Sequence, residues 1–159
     1  MKVILVRHGE AVEGAVDALR HLTEHGEEQI QTIADYLSKN AISFSKCYYS
    51  GRERTKQTAK IICEQISPHT KLEILTLLEP NANPQALINR LSHFNEDILL
   101  VGHLPHVQDF VSELLSQNEM RDLNKIIFHP GSMLILSTED HVNWHIEHYL
   151  NPDETASMI

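Results

Sequence analysis

Short apolar runs rich in β-branched residues alternate along the chain with longer stretches in which apolar residues recur three and four positions apart. The apolar runs, which predict strands, cover residues 3–6, 44–49, 72–77 and 98–101. The stretches that follow them have the apolar spacing of one helix face, which predicts a helix after each strand. Thr23 and Pro84 stand where helices favour an N-cap and a first-turn proline. Strand and helix therefore alternate four times.

This alternation predicts an α/β fold, with a mostly parallel central sheet and helices on both of its faces. Three further strand-like runs follow in the last third of the chain, over residues 126–128, 133–136 and 144–149. We expect these late strands at an edge of the sheet, where parallel and antiparallel pairing both remain open. Residues 1–150 are expected to form a single domain, and residues 151–159 a loose polar tail.

Length and charge narrow the class of protein. The chain has 159 residues, which suits one domain with a sizeable core and is compatible with a monomer. Its formal net charge of −9 argues against nucleic acid or an anionic membrane as a partner, since both favour a basic face. No apolar run reaches the length of a signal-peptide core or a membrane span, so we expect a cytoplasmic protein. Cys47 and Cys63 lack Cys-x-x-Cys spacing and fit reduced core thiols.

Polar and charged side chains follow three of the predicted strands at the point where each strand ends. Arg7 and His8 follow the first strand, Ser50 and Arg54 the second, and His103 the fourth. Because the carboxyl ends of parallel strands share one edge of a sheet, we expect one pocket there. Arginine donors match the oxygens of phosphate, and a neutral imidazole nitrogen can act as a nucleophile. Position alone leaves two alternatives open, an anion site and a set of separate structural residues.

Three segments of the chain resemble the signatures of the histidine phosphatase superfamily, whose fold is phosphoglycerate-mutase-like. The segments are Arg7-His8-Gly9, the stretch 50–59 that reads SGRERTKQTA, and Gly102-His103-Leu104-Pro105. The second family signature reads Ser-Pro-x-x-Arg-Ala-x-Gln-Thr-Ala, so Gly51 and Thr55 replace its proline and its alanine. The three segments occur in the family's order, each behind a predicted strand, and the resemblance covers residues 1–115.

Within the superfamily, the chain is most similar to the short SixA-type phosphohistidine phosphatases. It shares their Glu10-Ala11 continuation, the helix start 22–26 that reads LTEHG, and the lack of a long insertion. The resemblance implies that His8 is the nucleophile and becomes a phosphohistidine, which water then hydrolyses. It also implies that Arg7, Arg54 and His103 hold the phosphoryl oxygens and the charge that builds on them. No metal and no organic cofactor is expected.

The roles of two further charged residues are open. Arg52 competes with Arg54 for the pocket, but residues two positions apart on a helix face different ways, so we retain Arg54. Glu79 follows the third predicted strand, near the place where larger relatives carry a carboxylic general acid. It is either such an acid or a loop residue, and we favour the loop residue.

The resemblance implies a hydrolase that removes phosphate from a His-phosphorylated protein, such as a phosphotransfer domain, in signal transduction. A P–N bond is labile and needs less help from a general acid than a phosphomonoester does. A domain without a lid also leaves its pocket open to a protein. The alternatives are a phosphatase of a small phosphomonoester and a non-catalytic phosphoryl-binding module. We interpret the remaining histidines as structural or surface groups rather than metal ligands, among them His106, His141, His145 and His148.

Overall fold

The computed structural model describes residues 1–14, 16–116 and 126–157. The strands are β1 Lys2–Arg7, β2 Lys46–Tyr49, β3 Leu72–Ile74, β4 Ile98–Gly102, β5 Met133–Ser137 and β6 His145–Leu150. The α-helices are α1 Glu24–Lys39, α2 Glu53–Ile66, α3 Pro84–Leu91, α4 His106–Leu115 and α5 Pro152–Ser157. Two short 3₁₀ turns cover Asp17–Leu19 and Thr76–Leu78. None of the helices in the described ranges is long and apolar enough to cross a membrane.

The strands form one sheet in the order β3-β2-β4-β1-β5-β6. The first four strands along the chain pair in parallel, whereas β5 is antiparallel to β1 and β6 is antiparallel to β5. The prediction of a mostly parallel sheet is therefore confirmed, and the late strands lie at one edge in antiparallel pairing. Strand β6 follows β5 after a short connection without a helix, as antiparallel neighbours allow.

Side chains of the central strands pack into two apolar cores, one on each face of the sheet. Along β1, Val3 and Leu5 face the core that α3 and α4 cover, whereas Ile4 and Val6 face the core under α1 and α2. This alternation follows from the period of two along a strand. Because both faces of β1 are buried, its sequence is a continuous apolar run, as is typical of parallel sheets covered by helices.

Two predicted strands differ from the structure. Strand β3 ends at Ile74, and Thr76–Leu78 form a 3₁₀ turn that buries Leu78. The run 126–128 is not a strand, because its backbone bonds to side chains instead of to a neighbouring strand. The side-chain amide of Gln108 donates to the carbonyl of Ile126 and accepts from the backbone of Phe128. Apolar composition alone therefore overestimated the strand content of both segments.

Residues 152–157, which were expected to lie in a loose polar tail, form helix α5. Helix α5 lies against α1, where the side-chain amide of Gln29 donates to both carboxylate oxygens of Asp153 at 3.1 and 3.2 Å. The side-chain oxygen of the same Gln29 accepts from the backbone of Glu10 at 2.8 Å. This glutamine thus ties both the C-terminal helix and the loop after β1 to α1.

Helix α1 begins in direct contact with the loop that follows β1. The Thr23 hydroxyl caps the helix by accepting from the backbone of Gly26 at 2.9 Å, which confirms the predicted N-cap. The backbone of Thr23 donates to the carbonyl of Glu10 at 2.9 Å. A Cβ atom on Gly26 would overlap that same Glu10 carbonyl, so glycine is required for the close approach.

We predict that Gly26→Ala destabilises the fold by about 1–3 kcal/mol, the usual result of adding a methyl group to a packed site. The obstacle is backbone, which cannot rotate away as a side chain could. The free energy of unfolding from urea titration measures the effect. Gly14→Ala is the matched control, because a Cβ there meets only Cγ of Arg20 at 3.7 Å. Equal stability of the two variants would contradict the prediction.

Candidate active site

The carboxyl ends of β1, β4 and β2 bring residues from distant parts of the sequence together. Arg7 lies opposite Gly102 in the parallel pairing of β1 with β4. The next residues, His8 and His103, therefore leave neighbouring strands side by side, and their ring centroids are 5.2 Å apart. Both imidazoles are buried. Ser50 follows β2, on the other side of β4, and its hydroxyl lies 2.6 Å from Nε2 of His103.

The hydrogen bonds of His8 determine which of its ring nitrogens carries the proton. Nδ1 of His8 lies 2.7 Å from the carbonyl oxygen of Gly9, which can only accept. Nδ1 is therefore the protonated nitrogen, and Nε2 of the neutral ring holds a lone pair. The Nε–H of Arg54 donates toward this lone pair over 3.4 Å. The imidazole thus presents an unprotonated nitrogen next to a guanidinium.

Burial and nearby cations keep His8 neutral. Burial is the largest cause, and the positive charges of Arg54, Arg7 and Arg20 add to it, so the pKa of His8 falls to about 4. The hydrogen bond to Gly9 acts in the opposite direction and only partly offsets these effects. At neutral pH, Nε2 is therefore available as a nucleophile.

Two polar atoms at this sheet edge are buried and unbonded. Nε of Arg7 and Nδ1 of His103 have no hydrogen-bond partner among the residues that the structure describes. Arg7 is held in place by a second nitrogen of its guanidinium, Nη1, which donates to the carbonyl of Phe128 at 2.8 Å. Buried polar groups are normally satisfied, so these atoms mark unused bonding capacity beside His8.

The two arginines at the start of α2 share the carboxylate of Asp17 but differ in their other contacts. Arg54 is 4% exposed and lies against His8. Arg52 precedes the helix and forms ion pairs with the carboxylates of Glu79 and Asp17, the former at 2.7 Å. The structure thus places Arg54 in the pocket and Arg52 at its edge. The Glu79 carboxylate accepts from Nε of Arg52 and so lies at the same edge of the pocket.

Gly51 shapes the turn that leads to Arg54. Its φ angle is +100°, a region that residues with a side chain rarely adopt. Proline, which the family signature carries at this position, fixes φ near −65° and cannot adopt this conformation. Glycine therefore gives this chain its own turn between β2 and α2, although Arg54 still reaches His8.

Sequence reasoning missed Asp17 and Arg20, which lie in the connector after β1. Asp17 accepts from Arg54 through both its backbone and its side chain, at 2.9 and 3.3 Å, and pairs with Arg52. Arg20 donates to Asp17 at 3.2 Å, and its charge lowers the pKa of His8. The available signal was an acidic residue three positions before a basic residue, close to Arg7-His8. The connector has no periodic pattern, however, from which its path could be predicted.

The other histidines lie apart from one another. His141 bonds to the carbonyl of Phe94, and His148 lies 2.6 Å from the hydroxyl of Tyr36. His106 is buried at the start of α4, stacked on Phe110. Within the described ranges, no group of three or more histidine, cysteine or acidic residues is arranged to hold a metal ion.

Comparisons with known proteins agree with this geometry. Residues 3–79 match the family model of the histidine phosphatase superfamily, branch 1. The phosphohistidine phosphatase SixA homolog of Haemophilus influenzae is 27% identical, and the alignment covers 96% of this chain and 97% of that protein. The phosphohistidine phosphatase SixA of Escherichia coli is 29% identical over 72% of this chain and 74% of its own length.

Solved structures share the fold. The protein histidine phosphatase SixA, solved in complex with tungstate, superimposes with a TM-score of 0.85 at 22% identity, and the match covers 98% of this chain and 99% of that chain. A phosphoserine phosphatase of Entamoeba histolytica, in complex with phosphoserine, superimposes with a TM-score of 0.70 at 16% identity, over 95% of this chain and 97% of that chain. At these identities the structures establish a common architecture.

We predict that Arg54→Gln raises the pKa of His8 from about 4 while leaving it below 6.5. The substitution removes one repulsive charge, but burial, which is the larger cause, remains. Long-range ¹H–¹⁵N correlation spectra of the imidazoles between pH 3 and pH 8 measure this titration. Lys60→Gln, an exposed change on the same helix, is the control and leaves His8 unaffected. An unchanged titration of His8 in the Arg54 variant would refute the electrostatic account.

Proposed function

We propose that this chain is a phosphohistidine phosphatase of the histidine phosphatase superfamily, because residues 3–79 match that family and two SixA relatives align with most of the chain. It takes the phosphoryl group of a His-phosphorylated protein onto His8 and then transfers that group to water. The observation that carries this proposal is the state of His8. Its Nε2 is unprotonated, buried and adjacent to a guanidinium, which is the arrangement that nucleophilic attack on a phosphoryl group requires.

The reaction consists of two displacements at phosphorus. In the first, Nε2 of His8 bonds to phosphorus while the P–N bond to the substrate histidine breaks. In the second, a water oxygen bonds to phosphorus and the bond to Nε2 breaks, which releases phosphate. Phosphoryl transfer depends mainly on positioning and electrostatics, and no metal or organic cofactor enters this proposal.

Arg7, Arg54 and His103 are proposed to hold the phosphoryl group. The unbonded Nε of Arg7 and the guanidinium of Arg54 are donors beside His8, and the ring of His103 lies 5.2 Å from that of His8. Guanidinium groups are well matched to phosphoryl oxygens. By analogy with an oxyanion-hole donor, loss of either arginine is expected to raise the barrier by roughly 2.7–4 kcal/mol.

The side chains that could protonate a leaving group favour a substrate with a P–N bond over one with a P–O bond. A phosphomonoester leaves as an alkoxide and benefits from a carboxylic acid, whereas a leaving imidazole needs less help. Burial tends to raise the pKa of Asp17, but the hydrogen bond from Arg20 and the charges of Arg54 and Arg52 lower it overall. Glu79 is paired with Arg52. Both carboxyl groups are thus engaged by arginine side chains in the free site.

Five expectations from the sequence stay predictions. The specific carrier, a phosphotransfer domain or a similar His-phosphorylated protein, is inferred from leaving-group chemistry and from the short chain. The formal net charge of −9 favours neither nucleic acid nor an anionic membrane as a partner. Cytoplasmic location, a role in signal transduction and a monomeric state complete the proposal.

We predict that the wild-type protein, mixed with a ³²P-phosphohistidine carrier, forms an acid-labile phosphoenzyme and releases phosphate. His8→Asn forms neither product, since the variant lacks the attacking nitrogen. His145→Asn, an exposed substitution on β6, is the matched control and behaves as wild type. Rapid quench followed by gel autoradiography under alkaline and acidic conditions measures labelling and turnover together.

The outcomes separate the three candidate functions. Labelling with turnover on the phosphohistidine carrier supports the proposal. Higher efficiency on sugar phosphates or phosphoserine would instead identify a phosphomonoester phosphatase. Binding of the carrier with neither labelling nor turnover would identify a phosphoryl-binding module.

Glu79→Gln is predicted to change kcat/KM for the phosphohistidine carrier by no more than about twofold to threefold, which corresponds to a surface effect of about 0.5 kcal/mol. If Glu79 were a general acid for an ester, its loss would slow that reaction by about 10²–10⁴-fold. Steady-state kinetics on both substrate classes distinguish the two roles. A large loss on the carrier would show that Glu79 takes part in the reaction.

A further inference from the structure

Two buried hydroxyl groups connect His103 to the backbone at the start of α2. The Oγ of Ser50 lies 2.6 Å from Nε2 of His103 and 2.9 Å from Oγ1 of Thr55. Oγ1 of Thr55 lies 2.7 Å from the carbonyl oxygen of Arg52. The three side chains are at most 1% exposed, so bulk water does not compete for these bonds.

The number of hydrogens in this chain of bonds fixes the direction of each bond. A carbonyl oxygen only accepts, so the Thr55 hydroxyl donates to Arg52. Its single hydrogen is then used, and Ser50 must donate to Thr55. The Ser50 oxygen can now only accept from His103, so Nε2 of His103 carries the proton. No other assignment places one hydrogen in each of the three contacts.

The other nitrogen of the ring completes the argument. Nδ1 of His103 is buried and has no partner within the described part of the chain. Burial, reinforced by repulsion from His8 when that ring is protonated and from Arg54, lowers the pKa of His103 to about 2, so the free site holds the neutral ring at pH 7. With the single ring proton on Nε2, Nδ1 is a bare acceptor.

We propose that Thr55, acting through Ser50, is a positioning residue that keeps the proton of His103 on Nε2 and leaves Nδ1 free to accept a proton from the attacking water. This inference rests on the proposed phosphatase activity. The water oxygen bonds to phosphorus, the bond from phosphorus to Nε2 of His8 breaks, and one water proton passes to Nδ1. His103 is then an imidazolium, which is disfavoured in the empty site but is stabilised here by the negative charge of the bound phosphate. Its Nδ1–H donates to an oxygen of that phosphate, and the proton later returns to solvent.

Thr55 is a distinctive feature of this chain, because the family signature has alanine at this position. With alanine, the Ser50 hydroxyl would lose its acceptor and would be free to donate to Nε2, which would move the proton of the neutral ring to Nδ1. The backbone carbonyl of Arg52 would keep its bonds from the amides of Thr55 and Lys56 at 3.1 and 3.0 Å. The hydroxyl of Thr55 is therefore not needed to satisfy that carbonyl.

The test compares Thr55→Val with wild type, since valine keeps the shape of threonine and removes its hydroxyl. In ¹⁵N imidazole spectra of the free protein at pH 7, we expect protonated Nε2 on His103 in wild type. In Thr55→Val we expect a population with protonated Nδ1. In single-turnover quench experiments, hydrolysis of the His8 phosphoenzyme slows about tenfold, part of the 10²–10⁴ that a positioned base contributes. Formation of the phosphoenzyme changes less.

Controls separate this role from a structural one. Thr55→Ser restores both the Nε2 tautomer and the hydrolysis rate, because serine supplies the same hydroxyl. Thr32→Val is the matched control, since the hydroxyl of Thr32 bonds only within its own helix, to the carbonyl of Glu28 at 3.0 Å. Ser50→Ala is a second variant, in which Nε2 loses its acceptor and both tautomers are populated.

The outcomes are decisive in either direction. A Thr55→Val protein that keeps the proton of His103 on Nε2 would overturn the proposal, as would a Thr55→Ser protein that behaves like Thr55→Val. Wild-type protein that forms no phosphoenzyme would refute the proposed function instead. In that event the tautomer spectra, which need no substrate, still test the bond chain from Thr55 to His103.

Discussion

The parallel pairing of β1 with β4 is the constraint on which the site depends. The backbone N–H of His8 donates to the carbonyl of Gly102 at 3.1 Å, so the ladder continues to the residue before His103. A slip of one residue would turn the side chains of β1 to the opposite face and separate the two imidazoles. The apolar side chains on both faces of β1 resist such a slip, because it would exchange the residues of the two cores. The core packing thus holds the catalytic geometry.

The same charges would serve both the proposed phosphoryl binding and the proposed nucleophile, His8. Arg54 is almost fully buried, and burial of an unpaired guanidinium is unfavourable. The carboxylate of Asp17 offsets that penalty in the free site, while Arg54 and its neighbours keep His8 unprotonated. The protein is acidic overall but its pocket is cationic, and the Asp17 carboxylate limits the excess of positive charge there. Under the proposed function, removing a cation to stabilise the fold would weaken phosphoryl binding and would raise the pKa of His8.

The sequence was sufficient for the sheet and for the residues at strand ends, because burial on two faces leaves continuous apolar runs whose ends are recognisable. His8, His103 and Arg54 follow such runs or begin the next helix.

Asp17 could not be found in this way, since it lies in an aperiodic connector whose path depends on tertiary contacts with α2. The run 126–128 was wrongly predicted as a strand because side chains can satisfy a backbone as well as a neighbouring strand does. The C-terminal helix forms in a polar segment because Asp153 finds a partner on α1.

Which reaction this site can carry out depends more on which atoms hold its protons than on how many cations line it. Many phosphoryl-binding pockets contain arginines, but here each carboxyl group beside the pocket is engaged as an acceptor by an arginine. The proton of His8 is held by Gly9, and that of His103 points to Ser50. Within the described residues, the free site thus combines two unprotonated ring nitrogens with carboxylates that are bonded to arginines. Such a site can attack phosphorus and accept a proton from water, and it suits a substrate whose leaving group departs without a proton from the enzyme.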